Sequence, residues 1–138
     1  MNHIQHAQQA HKQAYAPYTN FAVGAAVLTD SGKIFAGPNI ENAISGLGIC
    51  AERVAINHAI CHGEYNFTSI AIYTNTPQVI WPCGSCLQYL AEWSQVANHD
   101  IAIITHNGKQ IEHSSVRALL EHHHGPRSLG VNIERYRK

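Results

Sequence analysis

Three cysteines and one glutamate fall into two short stretches that together could hold a metal ion and move a proton. The first stretch is Cys50-Ala51-Glu52-Arg53, and the second is Pro82-Cys83-Gly84-Ser85-Cys86. Three thiolates would leave the fourth coordination position of a zinc ion open for water, as in catalytic zinc sites. A carboxylate two positions from a ligand would then be placed to carry protons for reaction at that water.

Both stretches lie where the sequence predicts that a helix begins. Unpaired backbone N–H groups and the positive end of the helix dipole lower the pKa of a thiol, which binds zinc as a thiolate. Three thiolates leave the zinc cluster with excess negative charge, and Arg53 is predicted to compensate it by donating to one of them. Glu52 would suit the first turn of a helix through the dipole alone. Its closeness to Cys50 is what indicates catalysis.

Other metal and thiol chemistries stay open at this point. A Cys-x-x-Cys pair is also typical of redox and structural zinc sites. Cys61 would lie about three turns along the helix that begins near Cys50, too far away to bind the same ion. We therefore expect Cys61 to be a small buried residue. One of the eleven histidines could still close the site as a fourth ligand.

Alternating strands and helices are predicted to position these residues. Helices are predicted at residues 2–15, at 51–62, from about 83 through 93, and up to 120; strands are predicted at 21–28, 33–37, 68–74, 100–106 and 110–112. This order predicts an α/β fold, a three-layer α/β/α sandwich with a mixed five-stranded sheet. With 138 residues, 45% of them apolar, we expect a single domain over residues 1–138.

Charge and composition argue against several classes of protein. Nine basic residues balance nine acidic ones and no basic run offers a track for a phosphate backbone, so we expect no nucleic-acid partner. No stretch approaches the roughly 20 apolar residues of a membrane span, and residues 1–13 lack the apolar core of a secretory signal. We expect no membrane partner and a cytoplasmic location, where four cysteines favour metal or redox use over disulfides.

The two cysteine stretches together resemble the signature of the zinc-dependent cytidine deaminases of the small homotetrameric type. The similarity extends to residues 16–26, to Asn39-Ile40-Glu41-Asn42-Ala43, and to residues 119–126 near the C-terminus. It therefore covers about residues 8–129. The resemblance implies a cytidine deaminase-like fold, a Zn²⁺ cofactor, a small nucleoside substrate and a homotetramer.

The resemblance also implies a reaction, one that belongs to pyrimidine salvage. Zinc would be bound by Cys50, Cys83 and Cys86, and Arg53 would compensate their charge. Zinc-activated water would attack C4 of free cytidine or deoxycytidine, and the products would be uridine or deoxyuridine and ammonia. Glu52 would give N3 a proton and then protonate the departing amine.

Four further positions are implied to contact the substrate. Asn39 and Glu41 would hold the sugar hydroxyls, Phe21 would lie against the nucleoside, and the backbone at Ala51 would contact the base. Simpler interpretations stay open, because Asn39 could merely shape a turn and Phe21 could merely fill the core.

Three departures from the family pattern lie around the pocket. Leu87 stands where the family commonly has arginine, Ser45 where many members have tyrosine, and His124 where phenylalanine is usual. In the family's homotetramers that phenylalanine reaches a neighbouring subunit's base. Two alternatives therefore remain: deamination of another aminated nucleoside, modified base or nucleoside antibiotic, and a non-catalytic, zinc-stabilised binding protein. The run 122–124 of three histidines is either exposed or an adventitious metal-binding stretch.

Overall fold

Strands and helices alternate along residues 1–137, the part of the chain that the structure, a computed structural model, describes. In chain order they are α1 (His3–His11), β1 (Val23–Thr29), β2 (Ile34–Pro38), α2 (Ala51–Cys61), β3 (Phe67–Thr74), α3 (Gly84–Ala97), β4 (Ala102–His106), β5 (Ile111–Ser115) and α4 (Val116–Leu119). Short 3₁₀ turns occur at Ser45–Leu47, Pro126–Leu129 and Glu134–Tyr136. Every helix among these residues is too short or too polar to cross a bilayer.

The five strands form one mixed sheet in the order β2-β1-β3-β4-β5. Strands β3 and β4 are parallel, and the chain passes between them through α3, as a parallel pair requires. The other neighbouring pairs are antiparallel. The predicted mixed five-stranded sheet is therefore confirmed.

Helices cover both faces of the sheet. Along β1 the side chains alternate, so that Ala25 and Val27 join the core formed with α2 and α3, whereas Ala26 joins the smaller core beneath α1. Gly24 allows α1 to lie directly on β1, since a Cβ there would be 2.0 Å from the carbonyl oxygen of Ala7. The predicted three-layer α/β/α sandwich is confirmed.

The boundaries of three elements differ from the prediction by more than two residues. Helix α1 ends at His11 rather than residue 15, because Tyr15 instead exchanges backbone hydrogen bonds with Asn39 and Glu41 and must be extended. Helix α3 continues to Ala97. Strand β5 reaches Ser115, whose hydroxyl accepts a hydrogen bond from the Ala118 amide and caps α4.

Candidate active site

The starts of α2 and α3 bring three thiols together. Cys50 is the N-cap residue of α2, Cys83 is the N-cap residue of α3, and Cys86 lies in the first turn of α3. Their sulfur atoms all lie within 4.8 Å of one another. Cys86 is buried and Cys83 is exposed, so the cluster is open to solvent on one side.

This donor set fits a zinc ion with an open coordination position. Thiolates are among the ligands that zinc prefers, and structural zinc sites usually have four protein ligands. Within residues 1–137 the cluster consists of the three cysteines, and no histidine or carboxylate joins it. A zinc ion here would keep one position for a non-protein ligand, as catalytic sites do.

Charge is compensated from the first turn of α2. The Arg53 guanidinium donates a hydrogen bond to the Cys50 sulfur, with Nη2 and Sγ 3.5 Å apart. Hydrogen bonds from Cys86 and Arg53 lower the pKa of the Cys50 thiol to about 5. The pKa of Cys86 is raised, chiefly because its thiol bonds to Cys50 and because it is buried. The Cys50 thiol is thus more easily deprotonated than that of Cys86 before metal binds.

Glu52 lies in the first turn of α2 with only 5% of its surface exposed. Burial raises the pKa of its carboxyl group, and the neighbouring Cys50 charge raises it further. A buried carboxyl group that is shifted in this direction can hold a proton and release it closer to neutral pH. The environment therefore suits a group that both donates and accepts protons.

Two adjoining clefts open over this cluster. The inner cleft, of about 180 Å³, is lined by Phe21, Val23, Asn39, Cys50, Ala51, Glu52, Ile72, Thr74, Ile80, Trp81 and Cys83. The outer cleft, of about 370 Å³, is lined by Tyr18, Thr19, Asn39, Ile40, Glu41, Asn42, Ser45, Gly48, Ile49, Cys50 and Arg53. Asn39 and Cys50 line both clefts, which therefore adjoin.

Asn39 positions the segment that carries Phe21. Its Nδ2 donates to the Phe21 carbonyl oxygen at 2.8 Å, and its Oδ1 accepts from the Val23 amide at 2.9 Å. Phe21 is 40% exposed and lines the inner cleft, so it does not fill the core. Ala51 is fully buried and lines the same cleft.

Glu41 fastens the loop that borders the outer cleft. Its Oε1 accepts hydrogen bonds from the Tyr18 amide at 2.9 Å and the Thr19 amide at 3.2 Å, and its Oε2 accepts one from the Thr19 hydroxyl. These bonds lower the pKa of the Glu41 carboxyl group, and the bond from the Thr19 hydroxyl contributes most. Glu41 is therefore held as a carboxylate beside the cleft.

The sequence pattern missed one wall of the inner cleft. Ile72, Ile80 and Trp81 line it. The available signal was position, because Trp81 comes shortly before Cys83 and residue 72 lies near the end of a buried strand. The expectation that Cys61 is buried was wrong, since it is exposed near the end of α2, where that helix meets solvent.

Comparison with known proteins agrees with this geometry. Residues 1–102 match the family model described as the cytidine and deoxycytidylate deaminase zinc-binding region. The chain belongs to this family. It is 38% identical over 118 residues to a cytidine deaminase of Sporosarcina psychrophila, with 85% of each chain covered. It is 34% identical over 124 residues to one of Mycobacterium tuberculosis, covering 90% of this chain and 78% of that one.

Solved structures of the family share the fold of this chain. The matched family model describes a zinc-binding region, and the cofactor is zinc. The crystal structure of cytidine deaminase from Burkholderia pseudomallei superposes with a TM-score of 0.82 at 38% identity, covering 90% of this chain and all of that one. That of the Mycobacterium tuberculosis enzyme gives a TM-score of 0.72 at 32% identity, covering 88% of this chain and 93% of that one.

The three departures from the family pattern lie in different surroundings. Leu87 is buried in the core shared by α2, α3 and the sheet. Ser45 lines the outer cleft. His124 is exposed, and its carbonyl oxygen accepts a hydrogen bond from the Gln88 side chain, which ties the C-terminal segment to α3. Of these three residues, only Ser45 lines either of the two clefts.

Proposed function

We propose that this protein is a zinc-dependent hydrolytic deaminase of free cytidine and deoxycytidine, forming uridine or deoxyuridine and ammonia. The observation that carries the proposal is the buried Glu52 carboxyl group beside three converging cysteine sulfurs; Glu52, Cys50 and Cys83 line the inner cleft. Cys50, Cys83 and Cys86 would hold the zinc ion. Zinc, when bound, supplies Lewis-acid activation of water.

Glu52 supplies the proton transfers in this proposal. Its carboxylate, held at the start of α2, takes a proton from the attacking water and gives it to N3 of the pyrimidine. It then takes the second proton of that water and gives it to the amine, which leaves C4 as ammonia. Arg53, donating to Cys50, offsets part of the negative charge that the thiolates accumulate. The buried setting excludes bulk water from the carboxyl group and so favours transfer to the bound base.

The cleft chemistry favours a nucleoside over a nucleotide. Among the described residues that line the two clefts, the single basic side chain is Arg53 of the outer cleft, and it already donates to the Cys50 sulfur rather than being free for a phosphate. Phe21 and Trp81 offer apolar surfaces to a planar base. Asn39 lines both clefts and Glu41 lines the outer one, and their remaining acceptor sites suit sugar hydroxyl groups.

A substrate panel tests the proposal directly. Zinc-loaded protein is assayed for ammonia release with cytidine, deoxycytidine, deoxycytidylate, cytosine, adenosine and modified aminated nucleosides. We expect cytidine and deoxycytidine to give the highest kcat/KM, and deoxycytidylate to be poor. Preference for another aminated compound would show that this compound, rather than cytidine, is the substrate. Ligand binding without turnover across the panel would favour a binding protein instead.

We also propose a homotetramer. Four apolar side chains that line or flank the outer cleft are exposed in the single chain, namely Ile40, Ile44, Leu47 and Ile49. An exposed apolar patch of this kind favours contact with another subunit. Light scattering coupled to size-exclusion chromatography tests it, and a monomeric mass would refute it. The single-domain extent of residues 1–138 and the cytoplasmic location stay predictions.

A further inference from the structure

A pair of histidines lies at the opposite end of α2 from the cysteine cluster. His58 and His62 are four residues apart, both are exposed, and their ring centroids are 5.1 Å apart. Residues spaced by four lie above one another on one helix face. The pair therefore presents two imidazoles side by side to solvent.

Hydrogen bonds select which ring nitrogen faces outward. His58 Nδ1 lies 3.1 Å from the carbonyl oxygen of Ala36 on β2, and His62 Nδ1 lies 2.9 Å from the carbonyl oxygen of His58. A carbonyl oxygen only accepts, so each Nδ1 must carry the proton. In the neutral rings the free lone pair is then on Nε2. Metal-binding histidines usually have this arrangement, in which one ring nitrogen binds the metal and the N–H of the other donates to a carbonyl oxygen.

The rings are also held in place by packing. The nearly buried ring of Phe35 lies 5.3 Å from that of His58 and 5.1 Å from that of His62, measured between centroids. Two anchored imidazoles lose less rotational freedom on binding an ion than two free side chains would. The pair is thus preorganised for chelation.

We propose that His58 and His62 form a second metal site that binds one divalent transition-metal ion through their Nε2 atoms. Two histidines at this spacing on a helix are the zinc-binding pair of the H-E-x-x-H motif. Imidazole suits Ni²⁺, Cu²⁺ and Zn²⁺, with Cu²⁺ bound most tightly. No third histidine, cysteine or carboxylate completes a cluster with the pair in the described part of the chain, so water fills the other positions.

This site is separate from the cysteine cluster. Cys50 and His62 are twelve residues apart, which at 1.5 Å per residue places them roughly 18 Å apart along the axis of α2. An ion that links two turns of α2 would stabilise the helix on which Cys50 and Glu52 lie, because it binds only the folded helix. The inference does not rest on the deaminase activity.

Calorimetric titration with Ni²⁺ tests the site in zinc-loaded, untagged protein near pH 7.5, about one unit above the ordinary imidazole pKa. The His122→Gln/His123→Gln/His124→Gln background removes the competing histidine run. In that background we expect His58→Asn and His62→Asn each to weaken Ni²⁺ binding by roughly tenfold or more, because each removes the second arm of the chelate. Asparagine retains an N–H donor near the position of Nδ1, so the helix contacts are kept.

His99→Asn, at an exposed histidine outside the pair, is the matched control and should bind Ni²⁺ like the background. Ni²⁺ should also raise the Tm of the background protein and leave that of His62→Asn unchanged. Unaltered Ni²⁺ affinity in either pair variant, equal weakening in His99→Asn, or Ni²⁺ uptake matched by zinc release would each overturn the proposal.

A second measurement needs no substitution in the pair and so does not depend on how the variants fold. Substoichiometric Cu²⁺ is added to zinc-loaded protein of the His122→Gln/His123→Gln/His124→Gln background, labelled with ¹³C in its histidines. We expect the ring signals of His58 and His62 to broaden before those of the other histidines. Earlier broadening anywhere else would overturn the proposal.

Discussion

Replacing Asn39 with alanine separates its structural contribution from its contact with substrate. The substitution removes the two side-chain hydrogen bonds to Phe21 and Val23, at 2.8 and 2.9 Å. Each such bond contributes about 0.5–1.5 kcal/mol, so the expected loss of unfolding free energy is about 1–3 kcal/mol. For a chain of 138 residues, about 3–4 °C of Tm corresponds to 1 kcal/mol, which predicts a decrease of roughly 3–12 °C.

The assay combines thermal unfolding of zinc-loaded protein with steady-state deamination of cytidine, measured well below the unfolding temperature of every variant compared. Asn107→Ala is the matched control, because its side chain bonds to Thr76, Pro77, Lys109 and Gln110 in a turn that lines neither cleft. Both variants should lose stability. Only Asn39→Ala should also lose about tenfold or more in kcat/KM, because it loosens Phe21 and leaves a sugar hydroxyl unpaired.

Two results would refute this reasoning. A Tm shift below about 1 °C for Asn39→Ala would mean that the two hydrogen bonds do not hold the Phe21 segment in solution. A kcat/KM that falls no further than in Asn107→Ala would mean that Asn39 only shapes the turn. In the second case the sugar would have to be held by other groups of the outer cleft.

Three other substitutions probe the packing, the metal and the proton carrier. Gly24→Ala should lower Tm by roughly 3–12 °C, because its Cβ would meet the Ala7 carbonyl oxygen at 2.0 Å and cost about 1–3 kcal/mol; unchanged unfolding would contradict the close packing of α1. Cys86→Ser should abolish stoichiometric zinc in metal analysis, whereas Cys61→Ser, outside the cluster, should retain it. Glu52→Gln should lower kcat by about 10²–10⁴ at full zinc content, and near-normal turnover would remove Glu52 from its role.

Hydrophobic periodicity predicted the sheet because each strand and helix has a buried face that its own sequence specifies. Strand β3 and helix α2 follow the predicted ranges to within one residue, and Gly63, at φ 77°, ends the turn after α2 as expected for a glycine. The end of α1 was not predictable in this way. The pairing of Tyr15 with residues 39–41 is a long-range contact, and the local sequence pattern does not predict it.

The candidate site likewise has features that the local sequence predicts and features that depend on long-range contacts. The placement of Cys50, Cys83 and Cys86 at two helix starts was predictable because helix starts are local features of the sequence. The clefts were not, since they form between segments far apart in the chain. Trp81 joins the inner cleft only because the loop after β3 returns to the start of α2. Site roles given to Asn39 and Glu41 stay predictions, although the structure brings both to the clefts.

The hydrogen bonds of Asn39 and Glu41 suggest why these two positions can combine structure with recognition. Each side chain already holds the loop that carries Tyr18, Thr19 and Phe21, Asn39 through the oxygen and nitrogen of its amide group and Glu41 through both carboxylate oxygens. Carbonyl and carboxylate oxygens have more than one acceptor site, so a hydroxyl group can bind without breaking these contacts. A ligand that bonded to both would therefore bind to groups already fixed in place, and little conformational entropy would be lost on binding. The same bonds explain why a substitution at either position must change stability and recognition together.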